Sequence, residues 1–236
     1  MSAIAAEPAL RPTPPRGASL RRFVRRNPTI IAGGSILGVI ALLALLAPLF
    51  AGDAITMHPS LRLRPPSNAY WLGADHLGRD VFARTVYGAQ VSLFVGVSVA
   101  TTSITCGLFI GLMAGYFRKV DAVVMRLMDG LMAIPAIVLA IALVALTRAS
   151  VSAVIVAITI PEIPRVVRLV RAVVLGVREA PYVEAAIAGG TPTWKILLRH
   201  ILPNTIAPLI VQATYICASA ILIEAALSFL GAGTPP

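Results

Sequence analysis

Charge is scarce in this 236-residue chain: 13% of its residues are Asp, Glu, Lys or Arg, while 58% are hydrophobic. A water-soluble domain carries about twice that charged fraction, so a soluble globular fold is excluded. Cysteine is nearly absent. Cys106 and Cys217 both sit inside apolar runs, which excludes a disulfide framework and leaves them as small core hydrophobes. His58, His76 and His200 lie far apart without ligand spacing, as surface histidines do, so no metal site is expected. The motifs HExxH, GxSxG and GxxxxGK[ST] are missing. No catalytic residue and no cofactor is therefore expected, and any nucleotide must be held by another chain.

What the chain does have is long apolar runs. Its net charge of +10 first suggests nucleic acid, but the basic residues cluster beside those runs, where they set membrane topology, so no nucleic acid partner is expected. The sequence predicts an all-α, polytopic membrane helix bundle of about five transmembrane helices in a lipid bilayer. Residues 1–28, with Pro8, Pro12, Pro14, Pro15 and six arginines, read as a basic flexible tail. Residues 29–86 read as a first span, Thr29 to Phe50, and a polar loop. That span is about 33 Å long as a helix, enough to cross a bilayer, and too long for a signal peptide. Residues 87–236 form the core. Its second span runs from about Val91 to Tyr116, and a charged turn follows at 118–129. A third span covers Leu131 to Leu146. The fourth runs from Val151 to about Pro164, where Pro161, Glu162 and Pro164 are expected to break it. The fifth covers Thr205 to Leu227.

Lys and Arg counts orient the bundle. The tail (6), the 118–129 turn (3) and the 165–204 segment (6) share one side, against four in the 51–86 loop plus Arg148 on the other. The positive-inside rule puts the N-terminus and residues 165–204 in the cytoplasm.

Inside the membrane, Ser103, Gly107, Gly111 and Gly115 recur every four residues on one helical face, and so do Gly34 and Gly38 in the first span. Such a face admits a neighbouring backbone, either as ordinary helix packing or as an interface lining a path. Glu224 is the one acid well inside an apolar run. An intramembrane carboxylate costs on the order of 2–3 kcal/mol at the bilayer centre, so Glu224 either lines a path or caps a packing contact.

The 165–204 segment is helix-patterned. Arg165, Arg168 and Arg171 fall along one face. Pro181 suits a first helical turn and Glu184 the positive dipole end. Ala185, Ala186 and Ala188 favour helix, and Gly189-Gly190 suits a helix end that needs a left-handed residue. Thr191 can cap a second helix with Pro192 at its first position. Trp194, Leu197, Leu198 and Ile201 give that helix an apolar stripe, and Pro203 is expected to stop it. Two readings fit: a small-faced helix that enters a groove on another protein, or a solvated loop on the membrane surface.

Glu184, Ala185, Ala186 and Gly190, with Leu202 and Pro203 further on, stand in the register of the EAA motif. His200 takes the place of the motif's usual Ile. The stretch Trp71-Leu72-Gly73-Ala74-Asp75-His76-Leu77-Gly78-Arg79-Asp80-Val81-Phe82-Ala83-Arg84 and the stretch Leu227-Ser228-Phe229-Leu230-Gly231 resemble segments of bacterial ABC importer permeases of the dipeptide, oligopeptide and nickel transport group. The resemblance runs from about residue 20 to the C-terminus. It implies a type I ABC importer permease fold in the bacterial inner membrane. It also implies a second permease subunit, two ATP-binding subunits and an extracytoplasmic solute-binding protein as partners. Glu184, Ala185, Ala186, Gly189, Gly190 and Pro203 would then couple the bundle to the ATPases. The family has a sixth span, and the chain is expected to stop short of it at Pro235-Pro236, with its end outside. An ion-driven secondary transporter working through Glu224 is the rival reading; it leaves residues 165–204 without a role.

Overall fold

The computed structural model describes residues 26–146, 150–231 and 233. The tail expected over residues 1–28 lies almost wholly outside the described residues, as do Arg148 and Pro235-Pro236. Among the described residues the fold is helical, with one isolated bridge between Ala74 and Asp80.

Helix α1 (Pro28–Phe50) starts on Pro28 after Asn27 and buries little besides Ala44 and Ala47. The loop that follows turns on Asp75. Burial works against its charge, but the backbone N–H groups of Arg79 and Leu77 (2.9 and 2.8 Å) and Arg79 Nε (2.9 Å) donate to it and lower its carboxyl to about 2. The central helix α2 (Val81–Tyr116) begins ten residues before the expected span, because Asp80 caps it by accepting from the Phe82 and Ala83 N–H groups at 2.9 and 3.4 Å. The boundary expected at residue 86 therefore falls inside α2.

Residues 118–129 are no turn. Helix α3 (Arg118–Met132) occupies them and meets α4 (Ala136–Ala145) at a bend of 85°. Pro135 causes the bend: it has no N–H to give and pushes Ile134 out of helical geometry. The third apolar run is thus a ten-residue helix, about 15 Å long, and not a straight span.

Helix α5 (Val151–Arg178), capped by Ser150, runs unbroken through Pro161 and Pro164. Each proline costs roughly 3 kcal/mol in an isolated helix. Here both are buried in the bundle, in the helix that packs most extensively against α2, and packing outweighs propensity. Glu162 is 0% exposed and accepts from Arg165 Nη1 at 2.9 and 3.2 Å.

Helix α6 (Pro181–Ala188) and the short α7 (Thr193–Ile196) lead through a π-turn (Leu197–Ile201) into α8 (Leu202–Phe229). Pro203 does not stop this helix. The wider i→i+5 turn, closed by Leu202 N–H donating to Leu197 C=O, absorbs the missing donor, so 37 residues from Thr193 to Phe229 form one rod.

Among the described residues, three helices are long and apolar enough to cross a membrane, or four if the bent α3–α4 pair is one span. α5 has the length as well, but Glu162, Arg165 and Arg168 fall within its first 18 residues. One contiguous core joins α2, α4, α5 and α8 and extends to Val183 and Ile196.

Candidate functional site

The glycine stripe meets valines. A Cβ on Gly107 would lie 2.4 Å from Val166 Cβ, one on Gly111 2.7 Å from Val170 Cβ, and one on Gly115 2.6 Å from Val174 Cβ. Two four-residue ladders on parallel helices therefore interlock with no room for another carbon. Gly96, which the sequence did not single out, does the same for α8, with Ile221 Cγ1 2.9 Å and Cys217 Sγ 3.1 Å from its Cβ position.

Below this seam the arginine stripe of α5 pairs with α3. Arg171 Nη2 donates to Asp121 Oδ2 at 2.6 Å, and its Nε donates to Oδ1; Arg168 Nη2 donates to Asp129 at 2.5 Å. Hydrogen bonding from Arg171 holds the Asp121 carboxyl below the usual carboxylate range, against the cost of burial. Arg178 Nη1 reaches the Gly115 carbonyl at 3.4 Å. The segment after α5 is thus tied to a stiff pair of helices.

That segment is α6, and it has one buried side chain, Val183, which belongs to the same apolar core as Ile196, Leu197 and Ile201. Glu184 sits in its first turn, and Glu184, Ala185, Gly189 and Gly190 are exposed while Ala186 is half-buried. Its end is a Schellman turn. Thr191 N–H donates to Ala186 C=O and Gly190 N–H to Ile187 C=O, both at 3.0 Å, with Gly190 at φ +75°. Of the two glycines, Gly190 alone needs left-handed geometry; Gly189 has φ −74°. Thr191 does not cap α7, whose N-cap is Pro192 without a side-chain bond. Around α6, Ile187, Trp194 and Leu198 present apolar surface to the outside. Asn204 Nδ2 donates to Tyr182 Oη at 3.4 Å and to the His200 carbonyl at 2.7 Å, which links α6 to the base of α8. Pro203 is exposed at the second position of α8, beside that link.

Glu224 is at the other end of α8, about 30 Å from Pro203. It is 6% exposed and accepts from Ser92 Oγ (3.2 Å) and Ser228 Oγ (3.3 Å). It also lines a cavity of ≈ 670 Å³, together with Asp53, Arg79, Arg84, Tyr87 and Ser92. Glu224 therefore both makes a packing contact and faces open space. The structure brings the α6 residues together and the seam glycines together, and keeps Glu224 apart from both.

The profile of the family described as "Binding-protein-dependent transport system inner membrane component" matches residues 104–236. The chain is 56% identical over 214 residues to a probable peptide ABC transporter permease of Sinorhizobium fredii, covering 91% of this chain and 74% of the relative. It is 42% identical over 212 residues to a dipeptide transport system permease of Alkalihalophilus pseudofirmus, covering 89% and 70%. A glutathione transport system permease of Pectobacterium atrosepticum is 38% identical over 218 residues, covering 92% and 72%.

Proposed function

Because the chain belongs to the binding-protein-dependent transport inner-membrane components, and is a multi-pass permease subunit, we propose that α6 is where ATP-binding subunits grip it to drive solute import. The observation that carries this reading is the build of residues 181–201. A rigid, glycine-terminated helix projects with Ile187, Trp194 and Leu198 exposed, while its root shares the bundle core through Val183. An exposed apolar patch on a braced element suits a protein interface. Force on α6 reaches α5 through its C-terminal end and α8 through the Tyr182–Asn204 contact. A closing ATPase pair drives the bundle between its two access states only if its contacts with α6 differ between them.

In this reading the N-terminus and α6 lie in the cytoplasm. A second permease completes the path, two ATPases bind the two loops, and a solute-binding protein delivers cargo from outside. The cargo is a short peptide, the class that the relatives' names print. ATP hydrolysis belongs to the partner subunits.

The test is co-purification of the full chain with its ATP-binding subunits. Ile187→Asp and Trp194→Asp, made on exposed side chains, should each abolish ATPase capture while the chain still inserts and accumulates. Undiminished capture in both variants, or labelling of a cysteine at position 190 from the external medium, would overturn the reading.

A further inference from the structure

Helix α3 has two apolar faces, and the bundle covers one of them. Met128 is buried. The two acids of the helix turn toward α5, where Asp121 pairs with Arg171 and Asp129 with Arg168. On the other side Val123 and Leu127 are 71% and 62% exposed. Beside them stand Lys119 and Arg126, also exposed. Neither base is in an ion pair among the described residues. The helix thus sorts its charges, with neutralised acids toward α5 and free bases outward.

The outward face holds a groove of ≈ 560 Å³, whose walls include Val123, Arg126, Leu127, Gly130 and Leu131. Gly130 opens it. Nothing lies within 4 Å of the Gly130 Cβ position, and its φ is not left-handed. Neither a neighbour nor the backbone requires glycine there, although glycine weakens a helix interior. What it leaves is room on the outward side.

Two observations lay α3 across the end of the bundle. Helix α4 shares the apolar core with α5 through Ala140 and Val144, and α3 bends 85° away from it. The ion pairs agree. Asp121 and Asp129 are eight residues apart, about 12 Å along α3, whereas Arg168 and Arg171 are three apart, about 4.5 Å along α5. Helix α3 therefore crosses α5 steeply. It starts at the foot of the seam, where Arg178 Nη1 reaches the Gly115 carbonyl. A helix lying flat at the end of a membrane bundle, apolar on its free face and edged with bases, seats between headgroups and acyl chains.

The occupant of the groove must bring an apolar body for Val123, Leu127 and Gly130 and a negative head for Arg126. A guanidinium fork matches phosphate geometry, and Lys119, two turns away at about 10.5 Å, adds to the positive potential. We infer that α3 binds an anionic phospholipid, its acyl chain in the groove opened by Gly130 and its phosphate on Arg126. This site requires only that the chain is embedded in a bilayer, and it is independent of how α6 is used.

The test uses the importer assembled from the full chain and its partner subunits, in nanodiscs of phosphatidylcholine and phosphatidylglycerol in equal parts. Each lipid in turn carries a photoreactive acyl chain, and the crosslinked residues are mapped by mass spectrometry. Phosphatidylglycerol should label residues 122–131 severalfold more than phosphatidylcholine. Arg126→Gln should abolish that preference and Arg126→Lys should keep most of it, which separates headgroup charge from a structural effect. Gly130→Leu, whose side chain meets open space, should lower labelling of 122–131 by both lipids while melting stays as in wild type. Equal labelling of the wild type by the two lipids, a preference that survives Arg126→Gln, or undiminished labelling of Gly130→Leu each overturns the site. Crosslinking of Val123→Cys or Leu127→Cys to another subunit, in place of lipid, also overturns it and shows that protein covers this face.

Discussion

The α2–α5 seam and the α6 projection are built from the same kinds of residue, glycine and small aliphatics, and use them in opposite ways. In the seam, glycine is required by what touches it: Val166, Val170 and Val174 occupy the space where side chains would be. At the end of α6, glycine is required by the backbone alone. Gly190 has nothing within 4 Å of its Cβ position but sits at φ +75°. The seam is therefore intolerant of volume and the projection intolerant of a change in backbone angle. A stiff unit and an exposed handle arise from one small alphabet, according to whether glycine answers to a neighbour or to a dihedral.

Four substitutions sharpen that contrast. Gly111→Leu should have the largest effect, because overpacking costs roughly 1–3 kcal/mol or more and the obstructing atoms are Val170 Cβ and Cγ1 and the Val167 carbonyl. The detergent-solubilised variant should melt well below wild type, and adding Val170→Ala to Gly111→Ala should restore little, because the Val170 Cβ at 2.7 Å and the Val167 carbonyl at 3.0 Å stay in place. A Gly111→Leu protein with wild-type melting would break the seam description. Gly190→Val comes next. Left-handed geometry costs a β-branched residue about 1–2 kcal/mol, paid locally, so melting should barely move while transport-stimulated ATP hydrolysis in the assembled importer falls severalfold.

Asp121→Asn, at the foot of the seam, should cost about 1 kcal/mol. The sign with pH follows from its depressed carboxyl. The pair's contribution is intact above the ordinary value of 3.8 and disappears as pH falls through the lower folded value. Acid melting curves of wild type and Asp121→Asn should therefore converge below about pH 4; parallel curves would contradict the pairing. Arg168→Gln should matter least, because its partner Asp129 is largely exposed and such pairs contribute about 0–1 kcal/mol. A shift as large as that of Asp121→Asn would show that the two ion pairs act as one network.

Much of the projection was legible in sequence, since its signals are local. Pro181 opens α6, Glu184 sits in its first turn, and the glycine pair ends it. The misreadings share one cause. Pro161, Pro164 and Pro203 carry the same local stop signal as Pro135, yet Pro135 bends the chain and the other three lie within continuous helix. Burial within the bundle holds α5 straight, and a π-turn releases Pro203; neither is visible to a scan along the chain. The cavity was half legible. Glu224 stood out as an acid in an apolar run, but Ser92, Arg84 and Asp53 come from distant parts of the chain and look like ordinary polar residues until folding groups them.

By itself, the sequence determined that this is a lipid-embedded helical protein with a small-residue helix face and a glycine-ended helix between apolar runs. Apolar run length, four-residue periodicity and turn chemistry act over a few residues, and solvent alone can read them. Tertiary structure decided which prolines bend, which valines fill the glycine ladder, where α3 is pinned by ion pairs, and that Glu224 shares a cavity with Arg84. The glycine ladder, the ion pairs and the cavity are each set by partners 39 or more positions away, and only close packing brings such partners within contact distance.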